Sequence, residues 1–200
     1  RQLPLLWLAI KRSPLFYLSM AALNPLIYYS ILLAAYDALP AQQAQTINYT
    51  WAIMLAILSV PFLGQRLHAR DWIAVALGYA GVVIIATEGR PWDLAFTSGG
   101  GVLLALASTV VWAVFWLLSA RNDDDPAVAR CANFVFAAPA ALFLAIASGE
   151  AWPEVGGVYV SAVYVGLFEM GVTWLLWSNA LRLAANVSRV GNLIFLSPML

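Results

Sequence analysis

The sequence predicts an all-α integral membrane protein, a polytopic bundle of helices. Of its 200 residues, 63% are hydrophobic and 10% are charged, whereas an ordinary soluble domain has roughly 25% charged residues. Apolar runs of about 20 residues, the length with which a helix crosses the hydrocarbon layer, recur along the chain. Transmembrane β-strands instead alternate in polarity over about 10 residues, and runs such as VVIIA and VLLALA do not. A helical bundle is therefore favoured over a barrel.

Short connections that contain Gly, Pro or Asp separate these runs and end each predicted helix. The six full spans predicted in chain order are 14–36, 42–63, 71–87, 99–119, 128–147 and 158–181. We expect partial spans before residue 10 and from about residue 186, so the chain is expected to be a piece of a longer protein with a cut N-terminus. In NDDDP, an Asp directly before Pro126 predicts an N-cap for the helix that follows.

The basic residues alternate from gap to gap between spans. Nine of the ten Lys and Arg residues lie in one set of gaps or within the first four residues of the span that follows, namely Arg1, Lys11, Arg12, Arg66, Arg70, Arg121, Arg130, Arg182 and Arg189. The other set carries Asp37, Glu88, Asp93, Glu150 and Glu154, with Arg90. Because short loops rich in Lys and Arg stay in the cytoplasm, the first set is predicted inside and the acidic set outside. A multi-pass protein of the inner, or plasma, membrane is expected.

An internal repeat is indicated when the chain is shifted by 144 residues. The segment QTINYTW (45–51) then lies over RVGNLIF (189–195) and matches Asn48 to Asn192. The shift passes over five spans, an odd number, so the second copy should run in the opposite direction through the membrane. The sequence thus predicts two inverted five-helix repeats, with most of the first in 1–96 and the second in 97–200. Inverted repeats are typical of secondary transporters, which bind their solute near the midplane.

Polar residues inside spans are the first class of candidate site residues, because they are costly in lipid. Glu169, midway along its span, is expected to be a buried carboxylate that relays protons or contacts the solute, or else a protonated acid bonded to a neighbouring helix. Asn48 and Asn192 offer amides for solute contact or for helix-to-helix hydrogen bonds. Asn24 precedes Pro25 midway along a span, where proline predicts a kink.

Aromatic residues are the second class. Trp112 and Trp116 lie four residues apart and hence on one helix face, Trp177 follows Glu169, and Tyr28 lies midway along its span. An apolar site with a few polar groups suits an amphipathic or aromatic solute; packing or contact with lipid is the alternative. The predicted substrate-binding residues are Tyr28, Asn48, Trp112, Trp116, Glu169, Trp177 and Asn192. The small residues of the span 71–87 and of the start of the next span are expected to allow close helix packing, namely Ala74, Gly78, Gly81, Gly99, Gly100 and Gly101.

Several classes of function are disfavoured. A net charge of zero argues against a nucleic-acid partner. The only His is His68, in a loop, so no two-His metal site is expected, and no nucleophile-elbow Ser pairs with a His. The Gly-rich stretch at residues 99–101 lacks the features of a phosphate loop. We therefore expect no enzyme activity, no catalytic residue, no metal and no cofactor.

Two segments of each half also resemble a known family. They are NYTWAIMLAIL and GQRLHARDWIAVALGYAGVVIIAT in the first half, and LLALASTVVWAVFWLLSARN and GLFEMGVTWLLWSNALRLAANVSRVGNLIFLSP in the second. They resemble the EamA-like branch of the drug/metabolite transporter superfamily, and most closely its YddG-type aromatic amino-acid exporters. The resemblance implies ten helices in two inverted halves, of which about seven to eight are represented here, with the first and last ones missing. It also implies a central pocket. Where such sequences usually read NYTWP, this one has NYTWA, and Pro198 is then without a counterpart.

The function predicted from the sequence is export of small amphipathic metabolites, aromatic or other neutral amino acids, by alternating access. Its partners would be the small-molecule substrate and the lipid bilayer. A multidrug or nucleotide-sugar carrier of the same fold is the alternative within transport. A channel or a structural membrane protein is the alternative from another class, and a channel would need a continuous polar face on several helices.

Overall fold

A computed structural model describes residues 3–87, 89–93, 96–149 and 151–199. These residues form helices joined by short turns and loops, and none of them lies in a β-strand. The eleven α-helices of the described chain are α1 (Leu3–Arg12), α2 (Pro14–Ala21), α3 (Tyr28–Ala38), α4 (Ala41–Asn48), α5 (Trp51–Leu63), α6 (Ala69–Ala86), α7 (Gly99–Arg121), α8 (Pro126–Ala147), α9 (Gly156–Tyr164), α10 (Trp174–Leu183) and α11 (Val187–Gly191). The predicted all-α fold class is confirmed.

Several of these helices join into stretches that are long and apolar enough to cross a membrane. The five such stretches among the described residues are Pro14–Ala38, Ala41–Leu63, Gly99–Arg121, Pro126–Ala147 and Gly156–Leu183. They coincide with five of the six predicted spans, and the sixth, 71–87, falls on α6. The protein is therefore a multi-pass membrane protein.

The chain packs into two compact units. Unit 1 consists of Arg1–Ala22 and Asn122–Leu183, and unit 2 of Leu23–Arg121 and Ala184–Leu200. In unit 1, α1 and α2 pack against α8. In unit 2, α3, α4 and α5 pack against α7, and α11 packs against α5. The predicted division after residue 96 separates two repeats of the sequence, whereas these units are defined by contacts between helices. That division stays a prediction.

Close helix contacts in unit 2 depend on two glycines. A Cβ added to Gly101 would lie 2.7 Å from Leu39 Cγ, and one added to Gly78 would lie 2.2 Å from Phe195 Cδ2. Small residues allow such approach between helices in lipid, so the packing role predicted for these two positions is confirmed. The same prediction is wrong for Gly81 and Gly99, which have no neighbour within 4 Å of the Cβ position, because no described side chain covers them. It is also wrong for Gly100, whose nearest neighbour there is Ser98 Oγ at 3.8 Å, two residues away in the chain.

The start of α8 has the predicted N-cap. Asp125 Oδ1 accepts hydrogen bonds from the backbone N–H groups of Ala127 at 2.9 Å and Val128 at 3.2 Å. Pro126 occupies the first helical position, where its missing N–H costs nothing. This cap fixes the end of the loop that carries Asp124, a residue important for unit 1.

Two spans contain π-helical segments. In Ala22–Ile27 the helix is broken by a kink at Asn24, which has extended backbone angles (φ −149°, ψ 119°), whereas Val165–Thr173 is continuous. The residue before a proline is pushed out of the helical region, so the kink predicted at Pro25 is confirmed. Shifting Ala22–Ile27 by 144 residues, the distance from Asn48 to Asn192, gives 166–171, which lies inside the second segment. The repeat itself stays a prediction.

Candidate functional site

Unit 2 brings tyrosine, asparagine and tryptophan side chains together in its interior. We call this group the amide–aromatic cluster, and its members are Tyr28, Asn48, Trp51, Trp112 and Trp116. Asn48 Nδ2 donates a hydrogen bond to Tyr28 Oη at 3.3 Å. The ring centroids of Tyr28 and Trp112 are 4.3 Å apart, and Trp112 meets Trp51 edge-on at 6.4 Å. Four of the seven predicted site residues therefore lie in one cluster.

Local structure explains why these side chains meet. Tyr28 is the first residue of α3, directly after the π-helical break. Asn48 ends α4, and Tyr49 and Thr50 form a turn before Trp51 begins α5. Trp112 and Trp116 lie one turn apart on α7, against which α3 and α5 both pack, so that one face of α7 carries both indole rings into the cluster.

The environment of the cluster is apolar. Tyr28 is 6% exposed and Asn48 is 8% exposed, while Phe115 and Trp116 are fully buried beside them. Rings in the edge-on and tilted arrangements seen here stabilise each other through their quadrupoles. A phenol and an amide set among aromatic rings are suited to a solute that has an aromatic or apolar part and a polar end.

Asn192 lies in the same unit, beside α5. Its neighbour Gly191 lies so close to α5 that a Cβ there would be 2.9 Å from Leu55 Cδ2. Among the described residues, Asn192 Oδ1 is buried and has no hydrogen-bond partner. Asn48 and Asn192 therefore belong to one unit, while their relation by a repeat and the solute-binding role of Asn192 stay predictions.

Glu169 and Trp177 belong to unit 1. Glu169 lies in the π-helical segment Val165–Thr173, and its side chain is exposed. The expected burial of this carboxylate is wrong with respect to the described helices, because none of them covers Glu169 and no residue of α9 or of that segment is fully buried. Trp177 on α10 is half-buried, and its neighbour Trp174 stacks on Phe134 with centroids 6.1 Å apart. Their roles toward a solute stay predictions.

Sequence reasoning missed Trp51 as a site residue. It lies three residues after Asn48 in NYTW and near the middle of the predicted span 42–63 rather than at its end. That position was the available signal, since tryptophans that anchor a helix to the interface lie at span ends. Its contact with Trp112 depends on the turn at Tyr49 and Thr50, which the sequence pattern did not reveal.

Polar contacts also join connections between spans that are predicted to lie on the same side of the membrane. In unit 1, Asp124 accepts a charged hydrogen bond from Arg12 at 2.7 Å, and its backbone carbonyl accepts one from Arg182 at 2.8 Å. In unit 2, Asp71 accepts hydrogen bonds from Arg189 Nε at 3.3 Å and from the His68 backbone N–H at 2.9 Å. All of these loops belong to the set predicted to be cytoplasmic.

A contact of the opposite set is consistent with this division. The Thr97 backbone N–H donates to Gln43 Oε1 at 3.3 Å, which joins the loop before α7 to the first turn of α4, at two gaps of the acidic set. Within each unit, these contacts therefore join gaps that belong to the same predicted set, as expected for helices that run in alternating directions.

A cavity of about 230 Å³ lies in unit 1, between the apolar side chains of Leu5, Leu8 and Val128 and the Arg12–Asp124 ion pair. It contains none of the predicted site residues. In the described part of the chain, no three His, Cys, Asp or Glu side chains lie close enough to hold a metal ion together.

The fold and these contacts define a multi-span helical membrane protein with an aromatic, amide-containing interior. The model of the EamA-like transporter family matches residues 2–87 and 99–200 of the chain. The chain therefore belongs to the EamA-like transporter family.

A curated transporter and a solved structure are among the proteins that are similar to this chain. One is the uncharacterized transporter YvbV of Bacillus subtilis (strain 168), which is 25% identical over 199 residues, or 96% of this chain. The chain spans 63% of the length of that relative. The other is a solved structure described only as "Crystal structure of protein", with a TM-score of 0.76 and 24% identity over 92% of this chain and 64% of that one. The chain and that solved structure therefore have similar folds.

Proposed function

We propose that this protein is a membrane transporter that exports small amphipathic metabolites, with aromatic and other neutral amino acids as its substrate class. The observation that carries the proposal is the hydrogen-bonded Tyr28–Asn48 pair packed against Trp112 inside a membrane-spanning bundle. Membership in a transporter family supports transport as the activity. The plasma membrane is the proposed location, from the alternation of basic and acidic gaps.

The chemistry of the cluster matches this substrate class. All five members of the amide–aromatic cluster are uncharged, so they favour a solute without net charge, since an unpaired charge is costly in an apolar interior. The indole rings supply flat apolar surface, and the amide and phenol supply hydrogen bonds that orient a polar group. A nucleotide-sugar carrier would need cations for the phosphates, and the cluster contains none.

We propose alternating access between two inverted repeats as the mechanism. The family model matches two segments of the chain, one on each side of residues 88–98, near the predicted division after residue 96. The shift that matches Asn48 to Asn192 also pairs Ala22–Ile27 with residues inside the π-helical segment Val165–Thr173, which supports the proposed repeat. In transporters built this way, rocking of repeated bundles exposes a midplane site to each side in turn. A channel or a scaffold would not require a solute-binding interior.

A counterflow screen with the full-length protein in lipid vesicles tests this function. We expect vesicles loaded with unlabelled tryptophan or phenylalanine to accumulate labelled tryptophan transiently, whereas loading with lysine or glutamate should give no accumulation. Protein-free vesicles are the control. Equal flux for all amino acids and inorganic ions would indicate a channel, and no flux of any of them would contradict the proposal.

Glu169→Gln tests coupling to protons. If Glu169 relays protons, we expect the uptake of tryptophan driven by a pH gradient to fall at least tenfold in the variant, because a glutamine cannot exchange a proton. Counterflow at equal pH on both sides should be retained. Glu154→Gln, an exposed glutamate in the loop before α9, is the matched control. Gradient-driven uptake equal to that of the unchanged protein would exclude the relay role.

A further inference from the structure

Asn24 is a buried amide that the fold itself does not use. Its side chain is 1% exposed, and among the described residues neither Nδ2 nor Oδ1 has a hydrogen-bond partner. Buried polar groups in native proteins are nearly always hydrogen-bonded, because an unpaired one costs free energy. An amide that costs stability and contributes no internal bond requires another reason for its presence.

The backbone at Asn24 is irregular and lies deep in a span. Asn24 is near the middle of Pro14–Ala38 and has extended angles inside the π-helical segment Ala22–Ile27. Irregular backbone at membrane depth is tolerated where protein buries it or where it lines a cavity. In transporters with repeated halves, such broken spans form the solute and ion sites near the midplane.

Asn24 is also close in sequence to the amide–aromatic cluster and lies in the same unit. It precedes Tyr28, which begins α3 and accepts the hydrogen bond of Asn48, by four residues. The stretch 166–171, which the predicted repeat pairs with Ala22–Ile27, lies in the π-helical segment Val165–Thr173. A break with an unpaired amide thus directly precedes, along the chain, the helix that brings Tyr28 into a cluster without a charged member.

We propose that Asn24 binds the polar end of the transported solute, while the rings of the amide–aromatic cluster hold its apolar part; this rests on the transport function proposed above. An amide offers two donors and one acceptor without a charge. It therefore selects solutes that are neutral overall and carry a donor beside an acceptor, as in a zwitterionic α-amino acid or a carboxamide. Solutes with a net charge are disfavoured, since Asn24 cannot neutralise them.

Asn24→Leu separates solute binding from a structural role. In the purified full-length protein, we expect the variant to lower the affinity for tryptophan and for indole-3-acetamide at least tenfold, measured by the shift in melting temperature with solute and by counterflow. Without solute, its melting temperature should be equal to that of the unchanged protein or higher, because no internal hydrogen bond is lost. A lower melting temperature with unchanged affinity would overturn the proposal in favour of a structural role.

Asn133→Leu is the matched control. Asn133 on α8 is also buried, and its Nδ2 has no partner among the described residues, but it lies in unit 1. We expect this variant to leave the affinity for both probes unchanged. An equal loss of affinity in both variants would show a general effect of the substitution and would overturn the proposal.

Asn24→Asp provides a second variant with a gain to measure. A carboxylate at this position should raise the affinity for the cation tryptamine relative to tryptophan at least tenfold, and unchanged selectivity would overturn the proposal. If the unchanged protein neither binds nor exchanges tryptophan and indole-3-acetamide, the transport function and this inference both fail. If the unchanged protein binds and exchanges these solutes and both Asn24 variants do so equally well, only the inference about Asn24 fails.

Discussion

Replacing Trp112 by alanine should reduce tryptophan counterflow at least tenfold. Trp112 contacts Tyr28 and Trp51 and lies one turn from Trp116, so it is the central ring of the amide–aromatic cluster. The alanine variant lacks the ring on which an aromatic solute would stack. A loss of about 1.4 kcal/mol of binding free energy corresponds to a tenfold loss in affinity. Counterflow in vesicles and the thermal shift produced by tryptophan measure the effect.

Two further variants distinguish this effect from loss of the fold. Truncating a core tryptophan costs about 3–5 kcal/mol of stability, so Trp112→Phe, which retains a ring, should fold and keep part of the affinity. Trp72→Ala removes a tryptophan that is 41% exposed and should leave counterflow unchanged. Counterflow in a folded Trp112→Ala that equals that of the unchanged protein would remove Trp112 from the solute path.

Replacing Asp124 by alanine should destabilise the protein by about 3 kcal/mol, the second large effect that the structure predicts. Asp124 accepts hydrogen bonds from Arg12 and from the hydroxyl of Tyr17, which also accepts one from Asn122. Tyr17 is fully buried, so its hydroxyl would lose an acceptor that water cannot easily replace. The Arg12 side chain is 61% exposed, and its ion pair contributes little because water screens it.

A double-mutant cycle assigns the energy. Unfolding in detergent micelles would be measured for Asp124→Ala, Tyr17→Phe and the double variant, and we expect a coupling of about 1–3 kcal/mol between the two side chains. Asp123→Ala changes an adjacent exposed carboxylate and should have no effect on the free energy of unfolding. Additive effects of Asp124→Ala and Tyr17→Phe would contradict the hydrogen bond as the cause.

The features that could be predicted from the sequence depend on residues that are close together in the chain. The spans could be predicted because apolar length is a property of consecutive residues. The cap at Asp125 and the kink at Asn24–Pro25 could be predicted because they depend on neighbours in the chain. Tyr28, Asn48, Trp112 and Trp116 were chosen by residue type and depth, and their mutual contacts came from packing.

The errors have the same origin. Glu169 was expected to be buried because it lies midway along an apolar run, but burial depends on which helices cover that face, and the described ones leave it open. Gly81 was grouped with Gly78 by spacing, although only Gly78 faces Phe195. Trp51 was passed over, since only a turn in the backbone directs it toward Trp112.

The sequence by itself determined that this is a multi-span helical membrane protein, and it predicted which loops share a side of the membrane and the register of an internal repeat. Hydropathy, charge bias and capping act over a few residues and are written directly in the order of the chain. Only the tertiary structure decided which distant side chains meet, such as Tyr28 with Asn48 and Arg12 with Asp124. Those contacts depend on how helix faces pack, because in lipid close fit and internal hydrogen bonds, rather than exclusion of water, select one arrangement.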